Sequence, residues 1–391
     1  MLIIDIIAIA LLIVALVIGL QRGMFASLGT LIGLVLGGLA AYWLAPIVND
    51  VWPWPDTRVV AVVALVILLV VGLSFAGGLA GGAIRRGVDR SAPLRVIDRI
   101  LGGALSVVAA ALALTMVSAS IGGTGTPGVT SALASSQVLR TIEDLTPRPV
   151  AEALAQARSA VVDDALPMLG ELLDLDVQPT APPVALDDPV LAEAAQSVAR
   201  VSGVAAACGM SATGSGFAVT PDRIVTNAHV VAGMSTALVE LPGRTALEGR
   251  IVYFDPIDDL AVVAVDGLDA RPLPVVTPLG PGTAAVVQGY PWGGPFEAGN
   301  AEVLSSGAVL VPDIYRDSQA LREIYGLAAE IVPGNSGGPL LTAAGEVAGV
   351  VFARAENDPE RGYAMTTTEL QPVLAGAEGW TDAVSTGRCT S

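Results

Sequence analysis

The chain has no lysine, and all 20 of its basic residues are arginine. It has one histidine, His229, and two cysteines, Cys208 and Cys389. Chemistry that needs an imidazole base therefore rests on His229, and at most one disulfide can close within the chain. No metal site or cofactor is expected. Charged residues make up only 15% of the 391 and aromatics only 4%. With 53% hydrophobic residues and a mean hydropathy of +0.66, the composition excludes an ordinary soluble protein. The charge that is present is divided unevenly. Residues 1–121 hold seven Arg and five Asp, a net of +2, so with the whole chain at −17 residues 122–391 carry −19. That acidity excludes nucleic acid and an anionic membrane surface as partners of the C-terminal part.

The apolar excess lies in four runs, residues 2–20, 24–44, 59–84 and 100–121. Each is long enough to cross a bilayer as a helix, which takes about 20 residues. The first run carries Asp5, has no basic leader and is followed at once by another apolar run, so a cleaved signal peptide is disfavoured. Arginine sets the orientation. The turn after the first run has Arg22, and the loop after the third has Arg85, Arg86, Arg90, Arg95 and Arg99 against Asp89 and Asp98. The loop between the second and third runs has Asp50, Asp56, Arg58 and two interfacial tryptophans, Trp52 and Trp54. By the positive-inside rule the arginine loops face the cytoplasm, which puts both termini and everything after residue 121 outside. Gly29, Gly33 and Gly37 share one helix face, a pattern that favours close packing within a bundle over dimerisation. Asp5 reads as an interfacial acid rather than a proton carrier.

Residues 197–391 contain short β-branched runs punctuated by Gly and Pro: Gly216–Val219, Arg223–Thr226, Leu260–Val265, Ala285–Gly289, Val303–Leu310 and Val347–Phe352. They indicate a β-barrel or sandwich. Ser336 lies in Gly334-Asn335-Ser336-Gly337-Gly338-Pro339, a small turn between apolar runs that can present an activated hydroxyl and aim backbone N–H groups at one point. His229 follows the run Ile224-Val225-Thr226-Asn227-Ala228, and Asp259 opens Asp259-Leu260-Ala261-Val262-Val263. The order His, Asp, Ser is one of the orders in which a catalytic triad occurs.

Those three motifs, with Gly214-Ser215-Gly216-Phe217 upstream, resemble the trypsin-like (chymotrypsin-fold) serine proteases, especially their bacterial HtrA-like branch. The resemblance covers roughly residues 200–375. It implies an all-β double β-barrel of two six-stranded halves with His229 and Asp259 in the first and Ser336 in the second. It also implies an oxyanion hole made by the N–H groups of Gly334 and Ser336. The family's acid directly precedes Leu-Ala-Val, which favours Asp259, with the adjacent Asp258 as the alternative. Glu330, six residues before Ser336, falls where the family places the floor of the specificity pocket; an exposed edge Glu is the other reading. Only 39 residues follow Phe352, too few for the peptide-sensing PDZ domain of most HtrA relatives.

The four apolar runs with their glycines and arginine loop resemble the colicin V production (CvpA-like) membrane family. The combination resembles the MarP-like, membrane-anchored periplasmic serine proteases of mycobacteria and their actinobacterial relatives, and the lack of lysine fits a GC-rich genome. That likeness implies an anchored protease acting on cell-envelope proteins in acid and oxidative stress. The two cysteines frame the protease segment and are read as a disulfide on an exported domain, two free thiols being the alternative. Residues 122–196 link the parts: a flexible Gly122–Gly128, helical periodicity over Val138–Leu145 and Val150–Leu173, then Pro179, Pro182, Pro183 and Pro189 in an extended stretch open to self-cleavage. The expected partners are a lipid bilayer and extracytoplasmic proteins. The alternative function is a membrane scaffold or transporter with a regulatory or peptide-binding domain of protease fold.

Overall fold

A computed structural model describes residues 2–51, 58–88, 92–122, 136–159, 166–170, 172–173, 177–205 and 210–390. Trp52, Trp54, Asp56, Asp89, Arg90, Cys208 and most of the 122–128 segment lie outside the described residues. The chain forms two compact units, residues 1–115 with 137–142, and residues 116–136 with 143–391.

The four apolar runs fold as four helices, α1 (Leu2–Arg22), α2 (Met24–Val51), α3 (Arg58–Val88) and α4 (Ala92–Gly122). Two described stretches, Ile3–Arg22 and Arg95–Thr115, are long and apolar enough to span a bilayer; Met24–Gly37 and Val71–Ile84 are apolar but shorter. Gly23, at φ 80°, separates α1 from α2. The Asp98 carboxylate accepts from the N–H groups of Met24 (3.0 Å) and Phe25 (3.4 Å), groups that a helix start leaves without internal partners. Asp5 accepts from the Val138 N–H at 3.2 Å. The expected glycine packing is present: a Cβ on Gly29 would lie 2.1 Å from the Gly77 carbonyl oxygen, and one on Gly33 2.0 Å from that of Leu73. Helices α2 and α3 therefore touch backbone to backbone, which only small residues permit.

The second unit opens with helices α5 (Gln137–Leu145), whose first residues belong to the other unit, and α6 (Arg148–Ser159), followed by the strand β1 (Met168–Leu169) and helix α7 (Pro189–Ala195). Six strands, β2 (Val198–Ala205), β3 (Met210–Thr220), β4 (Arg223–Thr226), β5 (Ala237–Glu240), β6 (Leu247–Asp255) and β7 (Leu260–Ala264), close a barrel in the order β2-β3-β4-β7-β6-β5. Val201, Ile224, Val239, Ile251 and Val263 fill it. A helical turn, α8 (Ala228–Val231), follows β4. The second sheet runs β1-β12-β11-β8-β9-β10-β13, from β8 (Ala284–Gly289), β9 (Glu297–Pro312), β10 (Gln319–Ala328), β11 (Pro339–Leu341), β12 (Val347–Ala355) and β13 (Arg361–Thr366). Because β12 also pairs with β13, its last six strands follow one another round a ring. Helix α9 (Thr367–Gly376) comes last, its first turn capped by the Thr366 hydroxyl.

One expectation fails. Among the described residues the helical reading of Val150–Leu173 holds over α6, whereas Met168 and Leu169 are a strand paired in parallel with Arg354 and Ala355 of β12. Pro167 cannot donate within a helix, and the open edge of β12 offers the backbone a better partner. The proline-rich stretch is also held down. The Glu302 carboxylate accepts from the N–H groups of Thr180 (2.8 Å) and Ala181 (2.7 Å), and Asn300 Oδ1 accepts from Val184 N–H at 2.7 Å.

Candidate active site

Strand β4 is buried on every residue and delivers Thr226 and Asn227 to the turn that carries His229. Asp259 stands in the tight turn between β6 and β7, with φ 55°. His229 Nδ1 lies 2.8 Å from Asp259 Oδ2 and 3.0 Å from Oδ1, and the His229 backbone N–H donates to Oδ1 at 2.9 Å. The Asn227 amide donates to the Asp259 carbonyl at 2.8 Å, fixing that unusual backbone. His229 is 8% exposed and Asp259 3%, so the pair sits where a charge–dipole contact is strong. Asp258 points elsewhere: burial raises its carboxyl pKa, Asp255 adds to the shift, and Arg322 opposes it. It makes no bond to His229.

Ser336 belongs to the turn between β10 and β11 and is 3% exposed. The turn is pinned to the first barrel by Ser215. Ser215 N–H donates to the Ser336 carbonyl (2.7 Å), its Oγ donates to the Gly334 carbonyl (2.7 Å), and that Oγ accepts from Tyr290 N–H (2.9 Å). Gly337 has φ 82°, and a Cβ there would lie 2.2 Å from the Ser215 carbonyl oxygen and 3.0 Å from Asn227 N. The residue after Ser336 thus abuts the residue two before His229. Gly334 has φ 93°, and a Cβ there would meet the Tyr290 carbonyl oxygen at 2.3 Å. Among the described residues, neither the Gly334 nor the Ser336 N–H has an acceptor, leaving both free to receive one. Ser336 Oγ and His229 Nε2 are buried and make no hydrogen bond, so the Ser–His bond of a triad is not formed in this state. Catalytic bonds often tighten only when substrate binds.

Residues 214–350 match the trypsin-like peptidase domain and residues 4–147 the colicin V production protein. The serine protease Rv3671c of Mycobacterium tuberculosis (strain ATCC 25618 / H37Rv) is 32% identical over 393 residues, 99% of this chain and 98% of that protein. The chain belongs to the Rv3671c family of serine proteases. The crystal structure of the active form of the Rv3671c protease is 36% identical, covers 56% of this chain and all of its own, and superposes with a TM-score of 0.51. A "Probable periplasmic serine endoprotease DegP-like" of Pseudomonas savastanoi pv. phaseolicola is 35% identical over 147 residues, 36% of this chain and 29% of its own. This Rv3671c-family chain is therefore a serine endopeptidase, with a trypsin-like domain joined to a colicin V-type domain.

Two residues of this Rv3671c-type site escape sequence reasoning. Ser215 lies in the Gly214-Ser215-Gly216-Phe217 motif, but its role as clamp appears only when the two strand systems meet. Arg322, on β10, is 1% exposed and lines a cavity of about 110 Å³ together with His229, Asp259 and Phe352. Its guanidinium donates to the Pro312 carbonyl at 2.5 Å and lies 5.6 Å from the centre of the Phe352 ring. Burial lowers its pKa, while Asp259, Asp258 and Glu369 pull the other way. A lone Arg in an alternating strand gives no sign of facing a histidine 93 positions earlier. Glu330 is exposed, the second of the two readings, and borders a separate cavity with Glu152 and Glu297. Cys389 is disulfide-bonded.

Proposed function

We propose that the chain is a membrane-anchored extracytoplasmic endopeptidase in which Ser336, His229 and Asp259 are the triad. The observation that carries this is the buried His229–Asp259 pair, 2.8 Å apart, on a segment whose Asn227 abuts Gly337 of the turn that presents Ser336. Ser336 Oγ attacks the scissile carbonyl. His229 Nε2 takes the hydroxyl proton and returns it to the leaving amine. Asp259 holds the proton on Nδ1 and stabilises the imidazolium. The N–H groups of Gly334 and Ser336 receive the oxyanion; losing one such donor costs about 10²–10³ in kcat. The acyl-enzyme is then hydrolysed by the same groups in reverse. In this reading the domain has the double-barrel, chymotrypsin-like fold with the site in the cleft. The four helices form a membrane-spanning anchor, a Cys208–Cys389 disulfide ties the C-terminal tail to the start of the domain, and the substrates are envelope proteins met under acid or oxidative stress.

The test is labelling of the full chain, in detergent, with a fluorophosphonate. Wild type is labelled, and Ser336→Ala and His229→Ala are not, each losing about 10⁶ in kcat. Labelling that survives Ser336→Ala overturns the assignment.

A further inference from the structure

The edge of β12 beside the nucleophile is occupied by the chain itself. On one side β12 pairs with β13 through Arg354. On the other it pairs first with β11 and then with the nucleophile turn, the Val351 N–H donating to the Gly338 carbonyl at 2.9 Å and the Gly337 N–H to the Val351 carbonyl at 2.8 Å. Beyond Val351 that second edge is left open by β11, and a peptide extended past Ser336 has this row of backbone groups to pair with. β1 fills it. Arg354 N–H donates to the Pro167 carbonyl (3.1 Å) and Glu356 N–H to the Leu169 carbonyl (2.9 Å). The Tyr363 hydroxyl clasps the next turn, donating to the Gly170 carbonyl at 3.1 Å and accepting from Leu172 N–H at 3.2 Å. Leu166, Pro167 and Leu169 also wall the cavity that holds His229, Asp259 and Phe352.

Direction decides what this strand can be. β12 runs away from Ser336 as it leaves Val351. An acyl half lying along that edge has to bring its C-terminal carbonyl to Ser336, so it runs antiparallel to β12. β1 runs parallel. It holds the edge while presenting no carbonyl in the attacking register. We propose that residues 166–170 are a built-in inhibitor, a reversed strand that occupies the acyl-side substrate groove and must leave before substrate enters. The proposal rests on the triad reading above.

The experiment measures the fluorophosphonate labelling rate of the full chain in detergent micelles, for wild type, Leu169→Asp and Tyr363→Phe. Leu169→Asp puts a charge on a buried apolar anchor; Tyr363→Phe removes only the clasping hydroxyl and decides the matter where Leu169→Asp yields little folded protein. A groove blocked nine-tenths of the time predicts about a tenfold faster rate on release. A synthetic peptide of residues 166–173 added to Leu169→Asp slows labelling back toward wild type. Equal rates in all three proteins, with no effect of the peptide, overturn the inhibitor while leaving the triad standing. Absence of Ser336 labelling in every protein removes the triad reading and the inhibitor with it.

Discussion

At Asp259 the backbone takes a left-handed conformation that a non-glycine residue adopts at a cost of about 1–3 kcal/mol. The return is that one carboxylate meets both the His229 backbone N–H and the ring Nδ1. Its neighbour Asp258 has an ordinary place and no bond to the ring. The two acids, adjacent in sequence and hard to separate there, are thus separated by one backbone dihedral. Asp259→Asn is expected to lower kcat by about 10⁴, because the amide no longer holds the correct tautomer, whereas Asp258→Asn stays within about tenfold of wild type. Steady-state kinetics on one peptide substrate settles it; a greater loss at Asp258 would reverse the assignment. The motifs around His229, Asp259 and Ser336 were legible because the residue types of each serve one chemistry, and the fold brings the first two to 2.8 Å. Ser215 and Arg322 were not, because what they do depends on strands that meet only in the folded domain.

Elements were legible where local pattern and tertiary environment agree. The strands at Arg223–Thr226 and Val347–Phe352 and all four N-terminal helices were readable from apolar runs. β1 was not, because its apolar spacing continues that of α6 and only the free edge of β12 makes it a strand. The α2–α3 contact, by contrast, follows directly from the spacing of Gly29 and Gly33, and it makes a sharp prediction. Gly77→Leu places a side chain where the Gly29 carbonyl oxygen is 2.0 Å from an added Cβ, so the helices must separate. The variant is expected to lose helix-pair stability, seen as a lower unfolding midpoint in detergent, while Gly72→Leu, which faces open space, does not. The β9–β10 turn offers a pH test. Burial raises the Asp313 carboxyl, but hydrogen bonds from the Ser318 hydroxyl and the N–H groups of Tyr315, Asp317 and Ser318 hold it below its ordinary range. A depressed acid stabilises the fold above its unfolded pKa, about 3.9, and that stability disappears as pH falls through the folded value. Asp313→Asn should therefore melt lower than wild type at pH 7, with the gap closing below about pH 4. A gap that stays constant to pH 2 would mean the carboxylate charge contributes nothing.

For the whole molecule, topology and cysteine chemistry constrain each other. In the proposed four-span topology the arginines between the third and fourth helices place residues 122–391 outside the cytoplasm, the side on which disulfides form and persist. Neither argument uses a residue of the other. Cys389 is disulfide-bonded, and the chain's other cysteine is Cys208, 181 positions earlier. Closing so long a loop stabilises a domain by up to about 5 kcal/mol in the chain-entropy model. Cys208→Ser is therefore expected to lower the melting temperature of the protease domain under oxidising conditions and to match wild type once both are reduced. In membranes prepared with thiols trapped at harvest, a maleimide-polyethylene glycol reagent should shift the wild-type band only after reduction, and the Cys208→Ser band without it. Wild type that shifts without reduction would place both thiols free in the cell. The disulfide would then be absent, and the extracytoplasmic placement would rest on the arginine loops alone. Equal melting of Cys208→Ser and wild type, with the bond present, would separate the two conclusions the other way, leaving the topology intact and making the bridge irrelevant to stability.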